Sequence, residues 1–280
     1  MESLSDFESY DVLLDKPLAA RGWVTEVVSW RDKNIDWNQY DVVLIRSPWD
    51  YQDDPELFIQ VLKQIDSSSA RLENPLKLVL WNINKTYLQV LQNNGIAIVP
   101  TLWGKHLTEA KLIAYFEQLK ANEIIIKPVI SANADNTYRL NIERAKELTG
   151  ELILIFSEQE YMVQPFMNSV IDEGEFSLFF FGGEYSHAIL KKPAKGDFRV
   201  QEEHGGTLLS IEPEESLLHQ AIQVNQQLSP NPLYSRLDFV RTESGFAIME
   251  VELIEPSLYF NMDADSAERF ARVFDKWISD

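Results

Sequence analysis

The stretch RLDFVRTESGFAIMEVELIEPS, residues 236–257, decides how the rest of the chain is read. Two apolar, β-rich runs flank Thr242-Glu243-Ser244-Gly245, the pattern of a β-hairpin. A three-residue loop, Glu243-Ser244-Gly245 with Gly245 left-handed, is a common closure. It pairs Thr242 with Phe246, Val240 with Ile248, Asp238 with Glu250 and Arg236 with Glu252. Strand side chains alternate from face to face, so Asp238, Glu250 and Glu252 then share one face. Like charges opposed across a sheet repel, so this is either a solvated acidic patch or a cation site. The all-oxygen donors suit Mg²⁺ or Mn²⁺, with phosphate oxygens and waters completing the shell.

The surrounding chain is acidic. Of 280 residues, 25 are Lys or Arg and 44 are Asp or Glu, a formal net charge of −19. That balance argues against nucleic acid or an anionic membrane as partner, while an anionic substrate can still bind where basic residues gather. With no cysteine, disulfides, thiol catalysis and cysteine-held zinc are excluded. The opening MESLSDFESYDVLL has no basic segment ahead of its apolar residues and does not read as a signal peptide. No apolar run reaches transmembrane length, and the expectation is a cytoplasmic protein. The length allows two or three lobes.

Upstream of the hairpin, residues 11–21 read as a short helix interrupted by Pro17, 24–30 as a strand and 42–45 as a buried strand. The last runs into Arg46-Ser47-Pro48-Trp49-Asp50-Tyr51. Ligands bind at such strand ends in open α/β sheets, so Arg46, Ser47, Trp49 and Asp50 are candidate substrate contacts, the alternative being a loop that packs Trp49. Asp53 or Asp54 caps a helix opened by Pro55. Asn82 or Asn84 caps another, closed by Gly95, and 96–99 follows as a strand. Residues 108–121 form an amphipathic helix. Ile124-Ile125-Ile126 is a buried strand ending in Lys127, either a strand-edge charge or an anion ligand. The polar loop SANADNT, 131–137, can lie over an anion but lacks glycine. Segments 152–156 and 161–164 read as strands, and 176–181 and 185–190 flank the hairpin signal Gly182-Gly183. KKPAKGDFR, 191–199, is either a charged loop or a basic flap over phosphate. Pro213 opens a helix, and 264–278 closes the chain as another. His187 reads as structural, while His204, beside Gly205-Gly206, is a candidate general base.

In this order, IRSPWDY (45–51), NKTYLQVLQNNGIAIVPT (84–101), IIKP (125–128), VQPF (163–166), GEFSLFFFGGEYSHAILKKPAKGDFRVQEEHGG (174–206), RLDFV (236–240) and MEVELIEPS (249–257) resemble the ATP-grasp superfamily. The pattern is similar to its glutathione-synthetase-like branch, and within it to the O-ureidoserine cyclo-ligases of cycloserine biosynthesis. The resemblance implies an α+β, three-lobed ATP-grasp fold. An N-terminal α/β lobe spans 1–77, lacking its first strand or truncated at its start. A small central lobe spans 78–157, and a C-terminal antiparallel-sheet lobe with the metal site spans 158–280.

The implied cofactors are ATP and Mg²⁺ (or Mn²⁺). Lys85 and Lys127 resemble the lysines that hold the α- and β-phosphates, with Ser131 opening the loop over them. Gln164, Pro165 and Phe166 resemble the hinge that meets adenine, with Met162 an apolar contact. Glu173 or Glu175 resembles the acid on the ribose hydroxyls. Lys191 and Arg199 resemble the cations facing the γ-phosphate. Asp238, Glu250 and Glu252 resemble the metal triad, with Glu252 where the family usually has asparagine. The implied reaction activates a small carboxylate as an acyl phosphate, releasing ADP and phosphate and joining an amine through a C–N bond. An intramolecular cyclo-ligase and a catalytically silent nucleotide-binding module are the alternatives. The partners implied are ATP and a small carboxylate/amine substrate, and a homodimer is allowed.

Overall fold

The computed structural model describes residues 9–131 and 134–279. A 3₁₀ turn, Asp11–Leu14, leads into α1 (Asp15–Ala19), with Pro17 in the first helical turn, where its missing N–H leaves no bond unmade. Strand β1 (Val42–Leu44) pairs in parallel with β2 (Arg71–Glu73), and α2 (Pro55–Asp66) makes the crossover. Asp54 caps α2 by accepting the Leu57 N–H at 3.0 Å. Phe58, Leu62 and Ile65 then bury against Trp30 and Tyr51. The strand read at 24–30 is not formed, and residues 23–29 carry no ladder. A strand needs a neighbouring strand, and here Val24 and Val27 stay 96% and 91% exposed. The matching question of a first strand falls, for residues 1–8, outside the described residues.

Helices α3 (Leu76–Asn82) and α4 (Tyr87–Asn93) lead to β3 (Leu102–Lys105), α5 (Glu109–Leu119), β4 (Glu123–Pro128), β5 (Tyr138–Asn141), α6 (Ile142–Ile155) and β6 (Glu160–Pro165). These strands form an antiparallel sheet in the order β3-β6-β4-β5. The layer therefore runs past residue 157 to Pro165. Thr108 caps α5 and Asn141 caps α6. The strand expected at 152–156 is instead the end of α6. Its β-branched isoleucines suggested a strand, but the Asn141 cap starts a helix whose Ala145 and Leu152 bury on one face. Segment 96–99 contributes only an isolated bridge, Ile98 to Ile248.

Helix α7 (Ser169–Asp172) precedes the C-terminal sheet: β7 (Glu175–Phe181), β8 (Glu184–Lys192), β9 (Thr207–Ile211), β10 (Tyr234–Thr242) and β11 (Gly245–Glu252), in the order β11-β10-β7-β8-β9. Every residue of β7 is buried because both sheet faces are covered. Leu178 and Phe180 meet Leu217 and Val224 of α8 (Glu215–Gln226), while Phe179 and Phe181 meet Phe270 and Phe274 of α9 (Ser266–Ser279). Gly182 and Gly183 turn the β7–β8 hairpin at φ +57° and +87°, a pair of values that glycine adopts without strain. No helix among the described residues is long and apolar enough to cross a membrane.

The acidic hairpin differs from expectation at its tip and agrees with it at its base. Gly245, at φ +125°, pairs with Thr242, so the loop is only Glu243-Ser244. The predicted pairs Thr242–Phe246 and Val240–Ile248 are replaced by Arg241–Phe246 and Phe239–Ile248. A bulge at Met249 then restores the register, and Asp238 faces Glu250 while Arg236 faces Glu252. The outer edge of β11 is closed by polar side chains. Asn82 donates to Val251 O at 2.8 Å and accepts from Leu253 N at 3.0 Å, and the Tyr87 hydroxyl accepts from Val251 N at 2.9 Å. Asn74 donates to Leu253 O at 2.7 Å and Tyr234 O at 2.9 Å, and accepts from Leu233 N at 2.8 Å.

Candidate active site

Between the two antiparallel sheets lies a cavity of about 480 Å³. The ends of β4 and β6 bring Lys127 and Gln164-Pro165-Phe166 to one wall. The opposite wall carries Glu175, Lys191, Arg236, Glu250 and Glu252. Lys85, just ahead of α4, closes the floor, and Trp49 reaches in from the N-terminal lobe. Two flaps complete the enclosure. From 131–137, Ser131, Ala134 and Thr137 line the cavity; from the basic segment, Phe198 to Glu203 do. Residues 132–133 of the first flap lie outside the described residues. Ala134 and Asn136 adopt φ +57° and +48°, so the loop takes left-handed turns without glycine. The Phe166 ring packs under the Arg139 guanidinium at 3.7 Å and edge-on to Phe198 at 6.2 Å, linking hinge to flap.

The cavity floor is a lattice of opposite charges. Lys191 reaches Glu175 at 2.5 Å and Asp238 at 3.4 Å, with its side chain only 4% exposed. Arg236 bridges Asp238 and Glu252, and Lys85 pairs with Glu250 at 2.8 Å while donating to Ser131 O at 2.7 Å. Lys127 differs: among the described residues it makes no ion pair or hydrogen bond, and burial holds its ammonium below the usual value. Burial opposes the charge of Lys85 too, but Glu250 outweighs it and holds Lys85 above its usual value. Burial also pushes Glu252 up to about 8 against the pull of Arg236, with Asp238 and Glu250 adding to the rise. Asp238 is held low despite burial, first by Arg236 and then by Lys191 and the Ser177 hydroxyl.

Most of the residues singled out by sequence converge here: Trp49, Lys85, Lys127, Ser131, Gln164, Pro165, Phe166, Glu175, Lys191, Arg199, Glu250 and Glu252 line the cavity. Asp238 stands behind them in the ion-pair lattice. Arg199 is held by Asp197 at 2.7 Å within its own flap. Others do not line the cavity. Met162 is fully buried in the core, and Glu173 pairs with Arg241 at 2.7 Å, which leaves Glu175 as the cavity-facing member of that pair. His204 ends the 3₁₀ turn Glu202–His204 and does not line the cavity. Arg46 pairs with Asp11 at 3.0 Å, Asp50 pairs with Arg31 at 2.6 Å, and Ser47 is not in the lining. Glu255, Ser257 and Tyr259 line the cavity without having been singled out individually.

Known proteins share this fold. A family profile for the N-terminal domain of D-cycloserine synthetase DcsG matches residues 1–74. The cycloserine biosynthesis protein DcsG of Streptomyces lavendulae is 28% identical over 270 residues, covering 90% of this chain and 88% of that protein. The crystal structure of D-cycloserine synthetase DcsG matches with a TM-score of 0.84 at 26% identity, over 95% of this chain and 94% of that one. The chain is similar to D-cycloserine synthetase along nearly its whole length. The ATP-grasp ligase PsnB, complexed with a minimal precursor, shares the fold at a TM-score of 0.66 and 16% identity, over 96% and 95% of the two chains.

The donor set of the cavity bears on a metal ion. Among the described residues no three carboxylates or imidazoles converge on one point, because Arg236, Lys85 and Lys191 stand between them. Glu250 and Glu252 nonetheless both face the cavity with hard oxygen donors, and Glu252 is raised first by burial and further by Asp238 and Glu250. That chemistry fits a hard divalent cation shared with phosphate oxygens.

Proposed function

We propose that the ligase activates a small carboxylate as an acyl phosphate, with ADP and phosphate as products, and passes the acyl group to an amine. The observation that carries this reading is Lys127. It is a half-buried ammonium facing the cavity with no carboxylate partner of its own among the described residues, between the hinge and the Lys85–Glu250 pair. An anion is the natural counter-charge. Lys85 and Lys127 hold the inner phosphates, with Ser131 at the start of the covering loop. Gln164, Pro165 and Phe166 flank the adenine, and Glu175 lies towards the ribose. Lys191 and Arg199 balance the charge of the transferred phosphoryl group. Glu250 and Glu252, with Asp238 behind them, would hold Mg²⁺ (or Mn²⁺), which supplies Lewis-acid neutralisation of phosphate charge when bound.

A single substrate carrying both carboxylate and amine, closed by an intramolecular reaction, is favoured by the near full-length match to D-cycloserine synthetase. The decisive experiment incubates the protein with Mg²⁺, ATP and a panel of amino acids and their derivatives, with hydroxylamine as trap. ADP, phosphate and a hydroxamate are the expected products. AMP with pyrophosphate would refute the acyl-phosphate route. A competent substrate consumed without any added amine would select the cyclising version.

A further inference from the structure

Four of the five carboxylates at the base of the cleft are held by cations. Glu175 has Lys191, Asp238 has Arg236 and Lys191, Glu250 has Lys85, and Glu252 has Arg236. The fifth, Glu255, lines the same cavity, and among the described residues no side-chain cation lies within ion-pair distance of it. Its partner is the hydroxyl of Tyr51, a residue only 3% exposed. The backbone that presents it is pinned. Trp49 Nε1 donates to Glu255 O at 2.8 Å, and Arg46 Nη2 donates to Pro256 O at 3.0 Å, so the N-terminal lobe fixes the carboxylate's position. A half-buried carboxylate without a cation is costly unless a ligand supplies one. Lys85 pulls on Glu255 without pairing with it, and already bonds Glu250 and Ser131 O.

We propose that Glu255 receives the ammonium group of the substrate's amine, beside the indole of Trp49. The proposal rests on the amide-ligase reading and adds the residue that recognises the amine. An ammonium gives Glu255 charge-assisted hydrogen bonds, and an aromatic neighbour favours a cation over a neutral group. The same carboxylate can take the proton that the amine must lose. One proton moves from the ammonium to a Glu255 oxygen, and the freed nitrogen lone pair forms the bond to the acyl carbon. The C–O bond to phosphate breaks with its electron pair leaving on phosphate, and that phosphate oxygen takes the second proton lost by the nitrogen. The charged groups facing Glu255 are Lys85, Glu250 and Arg236. Burial is the largest influence and, against the pull of Lys85, sets its protonation at about 7, suited to proton exchange near neutrality.

The test uses the whole chain and n-butylammonium as probe. Its binding is followed by ligand-observed NMR at about pH 8, and ATP binding is measured separately by calorimetry. Wild type should retain butylammonium and not n-butanol, which has the shape without the charge. Glu255→Gln should weaken butylammonium at least about tenfold, the scale of a lost charged hydrogen bond, with ATP affinity unchanged. Glu255→Asp should recover part of the binding. Should Glu255→Gln fail to fold, wild type alone decides: retention must fall as pH drops from about 8 to about 6. No retention by wild type, equal retention by Glu255→Gln, or a flat pH profile overturns the assignment. Displacement of the probe by Mg²⁺ alone also overturns it, making Glu255 a metal ligand. Absence of ATP binding by wild type would instead strike the ligase reading and leave the butylammonium result to judge Glu255.

Discussion

Replacing Lys191 with methionine removes one charge and keeps most of the stem. The Lys191 ammonium lies 2.5 Å from Glu175 and 3.4 Å from Asp238, with the three side chains 4%, 11% and 4% exposed. The two carboxylates do not lose equally. Asp238 keeps Arg236 at 3.1 Å and the Ser177 hydroxyl at 2.5 Å, whereas Glu175 loses its only ion pair among the described residues. Breaking a buried pair from one side costs about 3–5 kcal/mol. At about 2–4 °C per kcal/mol for a chain near this size, melting should fall by about 6–20 °C at pH 8. The Lys191 ammonium is held above its usual value by Asp238 and Glu175 against burial, so its contribution is complete below about pH 10 and is lost only above that. In the variant, Glu175, already raised by burial, rises further and protonates in the folded state. A folded carboxyl that binds a proton more tightly than the unfolded one is destabilised as pH rises, so the loss should be smaller near pH 5 than near pH 8. Thermal melts followed by circular dichroism measure this, and Lys191→Met/Glu175→Gln should recover most of the loss. A melting point within about 2 °C of wild type at pH 8, an equal loss at both pH values, or no recovery in the double variant would refute the reasoning.

Two further outcomes follow from the same lattice and its scaffold. Because Glu252 titrates near 8 when folded, wild-type stability should decline as pH rises from about 5 to about 8. Urea titrations of Glu252→Gln should show a shallower decline, and an unchanged slope counts against the assignment. Asn82→Ala strands Val251 O and Leu253 N at the edge of β11 and should cost about 2–6 kcal/mol, at about 1–3 kcal/mol for each unsatisfied group. A change below about 0.5 kcal/mol in urea denaturation would mean that water replaces the amide.

Much of the fold was legible wherever one local signal governed one local event. Asp54 with Pro55 and Gly182-Gly183 each act within a few residues of themselves, and each does in the structure what the sequence implied. The failures have a common cause. The segment 24–30 read as a strand, but a strand exists only through its partner, and no local pattern reports whether one is present. The isoleucines of 152–156 favour strands in isolation, and the Asn141 cap eleven residues upstream overrode them. Asn74 and Asn82 were invisible as edge caps because the groups they satisfy lie far along the chain. Glu255 was passed over for a similar reason, since its lack of a cation is a property of what the other lobes bring near it.

The acidic hairpin joins local and long-range logic. Its loop is one residue shorter than expected, which by itself would carry Glu250 and Glu252 to the wrong face, because a one-residue slip in a strand inverts every side chain beyond it. The bulge at Met249 removes that slip before the first carboxylate is reached. Face-sharing by Asp238 and Glu250 therefore depends on two features that cancel, a tight turn and a bulge, neither of which the alternation reveals alone. The requirement the alternation does express is that Asp238, Glu250 and Glu252 meet Lys85, Lys191 and Arg236, since burying any of these without its partner costs several kcal/mol. Charge satisfaction at the base of the cleft selects the register, and the turn and bulge are the local means of reaching it. Bulges concentrate beside active sites because they re-aim side chains there, and Met249 itself faces the cavity beside Glu250.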